Sequence, residues 1–128
     1  MIAVYQWHLS DELSDLINRD GWMANETTTA YADKGCSWMI DDGRFDAAKW
    51  FYQYELVATC KTDDPEEAFV LMNLWNDPDR VCKIGARVAS LSIGDILEVA
   101  GGKFLLCTGE GFQEIFPVNG HITRVAAG

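Results

Sequence analysis

The chain has 128 residues, 48% of them hydrophobic, and a formal net charge of −10, which suits one domain over residues 1–128 with a core of its own. No run of about 18 apolar residues occurs, so no membrane-spanning helix is expected. Twenty acids against ten bases argue against direct contact with nucleic-acid phosphate, which proteins meet with lysine and arginine.

Residues 2–8 read as a strand with Ala3, Tyr5 and Trp7 on one face. Ile2 and Val4 begin the other face, before Gln6 and His8 turn it polar. The same opening lacks a basic start, so no secretory signal is expected and the reading is cytoplasmic. Ser10 can cap a helix over residues 11–18, with Asp11 and Glu12 in its first turn. Leu13, Leu16 and Ile17 form its apolar stripe, and Asp20 with Gly21 stops it. Residues 22–34 pull two ways. Met23, Ala24, Ala30 and Tyr31 fit a helix, whereas Thr27, Thr28 and Thr29 favour extended structure through β-branching. Gly35 closes that segment, and Asp41, Asp42 and Gly43 form a turn. Phe45, Ala48 and Phe51 then recur at helical spacing, with Ala47 and Trp50 beside them, and predict a short helix.

Residues 54–61 predict a strand, with Leu56, Ala58 and Cys60 on one face and Val57 and Thr59 on the other. Apolar atoms on both faces make it a central strand. The helix after it has the clearest start in the chain: Asp64 as N-cap, Pro65 at N1 and Glu67 at N3 completing a capping box. Ala68, Leu71, Met72 and Trp75 are its buried stripe, and Asn76, Asp77 and Pro78 end it. Further on, Ser92, Ile93, Gly94 and Asp95 form a turn. Gly94 there takes a backbone angle that a side chain would penalise, and Ser92 or Asp95 accepts a backbone N–H. Gly101 and Gly102 fit a two-residue type I′ loop that pairs residues 96–100 with 103–108. Gly109 and Gly111 allow a second tight return, and Phe112 and Ile115 are expected to seal the core. The expected fold is α+β, with N-terminal helices packed on a small, mainly antiparallel sheet that ends in a C-terminal β-hairpin.

Four phrases carry a likeness: Tyr54, Glu55, Leu56, Val57 and Ala58; Asp64 through Ala68 and Phe69, with Asn73; Ser90 through Asp95 as Ser-Leu-Ser-Ile-Gly-Asp; and Gly111 and Phe112 with Ile115. Across residues 54–115 they resemble a family of small proteins of plasmids, phages and related mobile elements, grouped as YodL-like. The resemblance implies a mobile-element setting and interference with, or protection from, host defence. It brings no catalytic residues with it.

The candidates for chemistry are few. Cys36, Cys60, Cys82 and Cys107 are spread along the chain without a Cys-x-x-Cys pair, and the histidines are His8 and His121 alone; no metal is expected from that spacing. Cys60 and Cys107 have the neighbours of buried strand thiols. A Cys107–His121 thiolate–imidazole pair lacks any feature that brings the two together. Asp63, Asp64, Glu66 and Glu67 suit a hard cation, but Asp64 and Glu67 already serve a helix start. Gly109, Glu110 and Gly111 lack the spacing and the lysine of a phosphate loop. No cofactor is expected. One of Trp7, Trp22, Trp38, Trp50 and Trp75 can anchor an interface.

The charge is uneven: residues 1–46 hold nine acids and three bases, residues 47–79 seven and two, and residues 80–128 four and five. A basic protein partner follows from that imbalance, with Asp11, Asp15, Asp41, Asp42, Asp63, Asp64 and Glu66 as the interface candidates. A DNA-mimicking array of these carboxylates is a sharper form of the same idea. The leading expectation is a small acidic, non-enzymatic accessory protein of a mobile element that binds a basic host or element-encoded protein, with a role in counter-defence. The alternative is a ligand-binding module or small enzyme with a pocket between the N-terminal helices and the C-terminal hairpin, lined by Cys107, Asp95 or His121.

Overall fold

The computed structural model describes residues 1–117 and 124–125. Its elements are β1 (Ile2–Gln6), α1 (Asp11–Asp20), α2 (Glu26–Lys34), α3 (Ser37–Asp41), α4 (Ala47–Trp50), β2 (Glu55–Cys60), α5 (Pro65–Leu74), β3 (Val81–Lys83), β4 (Ile96–Val99), β5 (Lys103–Thr108), β6 (Gly111–Ile115) and β7 (Arg124–Val125). The sheet runs β3-β2-β1-β4-β5-β6, and every neighbour along this path is antiparallel. β7 lies parallel to the start of β2. The chain is therefore α+β with a mainly antiparallel sheet, as its sequence predicts. No helix among the described residues is long and apolar enough to cross a membrane.

The sheet is covered on both faces. Ile2, Val4, Ala58, Cys60 and Leu97 pack with Ala68, Leu71 and Met72 of α5. Tyr5, Trp7, Ile96 and Leu106 pack with Ala30 of α2, Ile40 of α3, and Ala47 and Trp50 of α4. Aromatic rings dominate this second core: Trp7 stacks on Trp50 at 5.7 Å and meets Tyr31 edge-on at 5.2 Å, and Phe51 meets Phe104 at 5.0 Å. Such pairs add to the stabilisation from burial alone.

The expected facing of β2 needs correction. Val4 pairs with Ala58 but Tyr5 pairs with Leu56, so Val57 is an extra residue on β2 without a partner on β1. This β-bulge resets the alternation. Leu56 joins the aromatic core, while Val57 joins Ala58 and Cys60 on the α5 side. Strict alternation put Leu56 on the wrong face for that reason.

Local chemistry accounts for the other departures. The threonines of residues 27–29 lie in α2. Asn25 Oδ1 accepts from the Thr28 N–H at 2.8 Å and Thr28 Oγ1 accepts from the Asn25 N–H at 3.1 Å, a reciprocal cap. Thr29 Oγ1 also donates to the Asn25 carbonyl. Hydroxyls at the first helical turn thus supply the cap that outweighs β-branching. α3 has no counterpart among the predicted elements. At α5, Asp64 caps through the Glu66 N–H and Pro65 stands at N1, but the capping box does not close. The Asp64 N–H goes to Thr62 Oγ1, and Glu67 pairs with Arg80. Thr62 also hydrogen-bonds Glu67, so Thr62 stands between the two residues expected to bond directly.

In the C-terminal hairpin, Val99 pairs with Lys103, so the loop is Ala100, Gly101 and Gly102, three residues rather than two. Both glycines have positive φ, as the turn demands. The β5–β6 hairpin closes between Thr108 and Gly111. Phe112 and Ile115 pack at the margins of opposite cores.

Candidate protein-binding surface

The turn before β4 serves the architecture. Gly94 has φ +93°, and its N–H donates to the Cys107 carbonyl at 2.9 Å. Tyr54 Oη donates to the Gly94 carbonyl at 2.5 Å. The Asp95 carboxylate is buried and accepts from the Ser92 N–H at 2.9 Å and from Gln6 Nε2 at 3.1 Å. Gln6, expected on a polar face, is itself buried: its Oε1 accepts from the Ala89 N–H and its Nε2 donates to the Ala89 carbonyl, both at 3.0 Å. A single side chain thus ties β1 to the segment before the turn. Burial pushes the Asp95 carboxyl up to about 7, against the Ser92 N–H and the Lys34 charge, which favour its ionised form.

Cys107 and Asp95 meet through the sheet backbone. Cys107 is buried, and burial followed by the Asp95 charge pushes its thiol well up, away from the thiolate that attacks. Its N–H donates to the Asp95 carbonyl at 2.8 Å as part of the sheet. His121, the proposed third lining residue, lies outside the described residues.

Among the cavities that the described residues line, three bear on the site. One of about 440 Å³ lies between α2 and α4, against Met23, Thr29, Lys49 and Trp50. One of about 370 Å³ is formed by Trp75, Asp77, Pro78, Val81 and Lys83. The third, about 230 Å³, lies between the α3–α4 segment and the β5–β6 hairpin. That is the place the sequence indicates for a pocket, but neither Asp95 nor Cys107 lines any of the three.

The expected interface carboxylates are all exposed. Asp11 and Asp15 lie one turn apart on α1. Asp41 and Asp42 end α3, where Asp42 pairs with Arg44 at 2.7 Å. Asp63, Asp64 and Glu66 surround the start of α5, and Asp63 pairs with the Met1 amino group. Because α3 and α5 cover opposite faces of the sheet, these last two groups look away from each other.

What sequence reasoning missed is the outer face of α5. Phe69, Val70 and Leu74 are 40%, 49% and 63% exposed, while Ala68, Leu71 and Met72 of the same helix are buried. The helix is apolar nearly all round, a pattern that belongs to helices covered on every side. The uninterrupted run from Ala68 to Met72 was the signal. Immediately after it, Trp75 sits at φ +53° in the left-handed region, its indole N–H donating to Ser90 Oγ at 3.2 Å and the Lys83 ammonium lying 4.6 Å over its ring. The cleft beside Trp75 thus adjoins the exposed apolar residues. Residues 61–83, which carry this surface, hold six acids and three bases. Of the other tryptophans, Trp7 and Trp50 are buried, and Trp22 and Trp38 are half-exposed on the far side.

Comparison with protein-family models, with curated proteins and with solved structures returns no match for this chain.

Proposed function

We infer that this chain is a small acidic accessory protein that binds a basic protein through the outer face of α5. One observation carries the reading: a helix with Phe69, Val70 and Leu74 in solvent, bordered by Asp63, Asp64 and Glu66 at one end and by Asp77 and Asp79 beyond the other. An apolar centre with a charged rim is the usual anatomy of a protein interface. The acidic rim selects a basic partner and speeds encounter with it. The resemblance of residues 54–115 to YodL-like proteins of mobile elements supplies the setting, in which the partner is a host or element-encoded protein and the outcome is counter-defence.

A photo-crosslinking residue placed at Val70 tests this. The expected result is a basic protein captured at low salt, less of it at high salt, and none with Leu74→Asp. Capture of nothing, or of a protein whose yield ignores both salt and Leu74→Asp, removes the reading.

A further inference from the structure

The far edge of the sheet carries a feature that the α5 surface leaves unused. β6 ends the strand order and, among the described residues, pairs with β5 alone. In an antiparallel pair, alternate residues turn their N–H and C=O groups away from the neighbour, so β6 turns such groups to an outer edge that no other described strand occupies. The register sets Gln113 opposite Leu106 and Ile115 opposite Phe104, on the side of the N-terminal helices. Phe112 and Glu114, opposite Cys107 and Leu105, lie on the α5 side. Beside Ile115 the cavity of about 230 Å³ opens, walled by Ile40, Phe45, Ala47 and Leu106, with Asp46 also in its lining. Glu114 is exposed, and Phe116, directly after the strand, is 76% exposed.

We propose that β6 is a docking edge for an extended basic segment of another protein, which adds to the sheet as a strand and seats an apolar side chain in the cavity beside Ile115. A free edge next to a side-chain pocket is the arrangement by which sheets capture peptides: main-chain hydrogen bonds supply affinity and the pocket supplies selectivity. Charge chooses the occupant. Residues 37–47 and 103–116, which frame the edge and the cavity, hold five acids and two bases. A second copy of this chain, carrying the same acidic edge and a net charge of −10, is repelled. A lysine-bearing strand that turns its apolar side chains toward the cavity instead places ammonium groups on the other face, opposite Glu114.

The test is a titration of the ¹⁵N-labelled full chain with an eight-residue peptide of alternating lysine and valine. Saturable shifts are expected at the amides of Phe112, Gln113, Glu114 and Ile115, and at Phe45 beside the cavity. The same peptide with a fully N-methylated backbone, and a glutamate–valine peptide, should not bind. Glu114→Lys should weaken the lysine–valine peptide about threefold, the size of one cross-strand charge pair. Leu74→Asp should leave it unchanged, which separates this edge from the α5 surface. Absence of binding, shifts that map to α5, or equal binding of the N-methylated peptide overturns the proposal. So does dimerisation through β6 without peptide.

Discussion

Gly94 lies against the backbone of Lys34: a Cβ built on this glycine would fall 2.8 Å from the Lys34 carbonyl carbon and closer still to its oxygen. The turn before β4 and the last residue of α2 therefore meet at a point with no room for a side chain. Gly101 has a similar φ of +84° but nothing within 4 Å of the same position. Comparing the two separates strain from collision. Gly101→Ala should cost about 1 kcal/mol, the usual penalty for a side chain at positive φ. Gly94→Ala should cost about 3 kcal/mol or more, because either the turn or the end of α2 must move. Chemical denaturation of both variants measures the difference, and equal midpoints would mean that α2 yields freely.

Asp95 makes stability fall as pH rises. Its carboxyl is raised in the folded state from 3.8 to about 7, so between these values the native chain holds a proton that the unfolded chain has lost. Stability contributed by the protonated form is complete below about pH 4 and gone above about pH 7, with a ceiling of about 4 kcal/mol. The groups facing it are Gln6 from β1, the Ser92 N–H, Tyr31 and Lys34 from α2, Tyr54 and Cys107. His8 acts in the opposite sense. Burial, then Arg87, lowers its imidazole, so its contribution is present above its unfolded pKa of 6.5 and fades as pH falls through the lowered value. Asp95→Asn should flatten the slope between pH 4 and 7 and leave the His8 component. Denaturation midpoints of both proteins across that range test it; parallel curves would place the titration elsewhere.

The four cysteines should report their burial directly. Cys82 is exposed, Cys36 is half-buried, and Cys60 and Cys107 are buried. Burial raises both of the last two thiols. A disulfide reagent at neutral pH should therefore label Cys82 first and Cys36 more slowly, reaching Cys60 and Cys107 only in denaturant. Rapid labelling of Cys107 in the native chain would mean that β5 opens far more readily than its pairing on both edges suggests.

At the α5 surface, stability and binding should separate. Val70→Asp and Leu74→Asp replace side chains that are about half or more exposed, and surface changes of this kind stay within about 0.5 kcal/mol. Met72→Ala on the opposite side of the helix removes a fully buried side chain and should cost about 2 to 5 kcal/mol. Thermal melts compare all three variants. A large loss at Leu74 would show that this residue supports the fold.

Much of this architecture was legible in the sequence because local signals and burial agree there. Ser10, Asp64 and Pro65 start helices where they should, and Gly94 occupies a position only glycine fills. Three of the misreadings share a cause, in that each depends on a partner elsewhere along the chain. Val57 bulges because of its pairing with β1, which alternation within residues 54–61 cannot reveal. Gln6 is buried because Ala89 and Asp95, more than 80 residues away, satisfy its amide. Glu67 leaves the capping box for Arg80 and Thr62. The candidate surfaces were less legible still. Net charge pointed to acidic interfaces, but the exposed apolar side of α5 and the edge position of β6 among the described residues exist only once the sheet has an order.

That order places β1 between β2 and β4, whose residues lie about 50 and 90 positions later in the chain. Closing such loops costs entropy before any contact repays it, so a sheet of this kind assembles slowly. During synthesis, residues 2–6 leave the ribosome long before residues 96–99 exist to cover their second edge. Until Val99 has emerged, the nascent chain carries a largely apolar strand, β1, half-paired at best. In a chain this small, the interval between the first strand and its last neighbour is the period of greatest exposure to misassociation, and it is set by strand order alone.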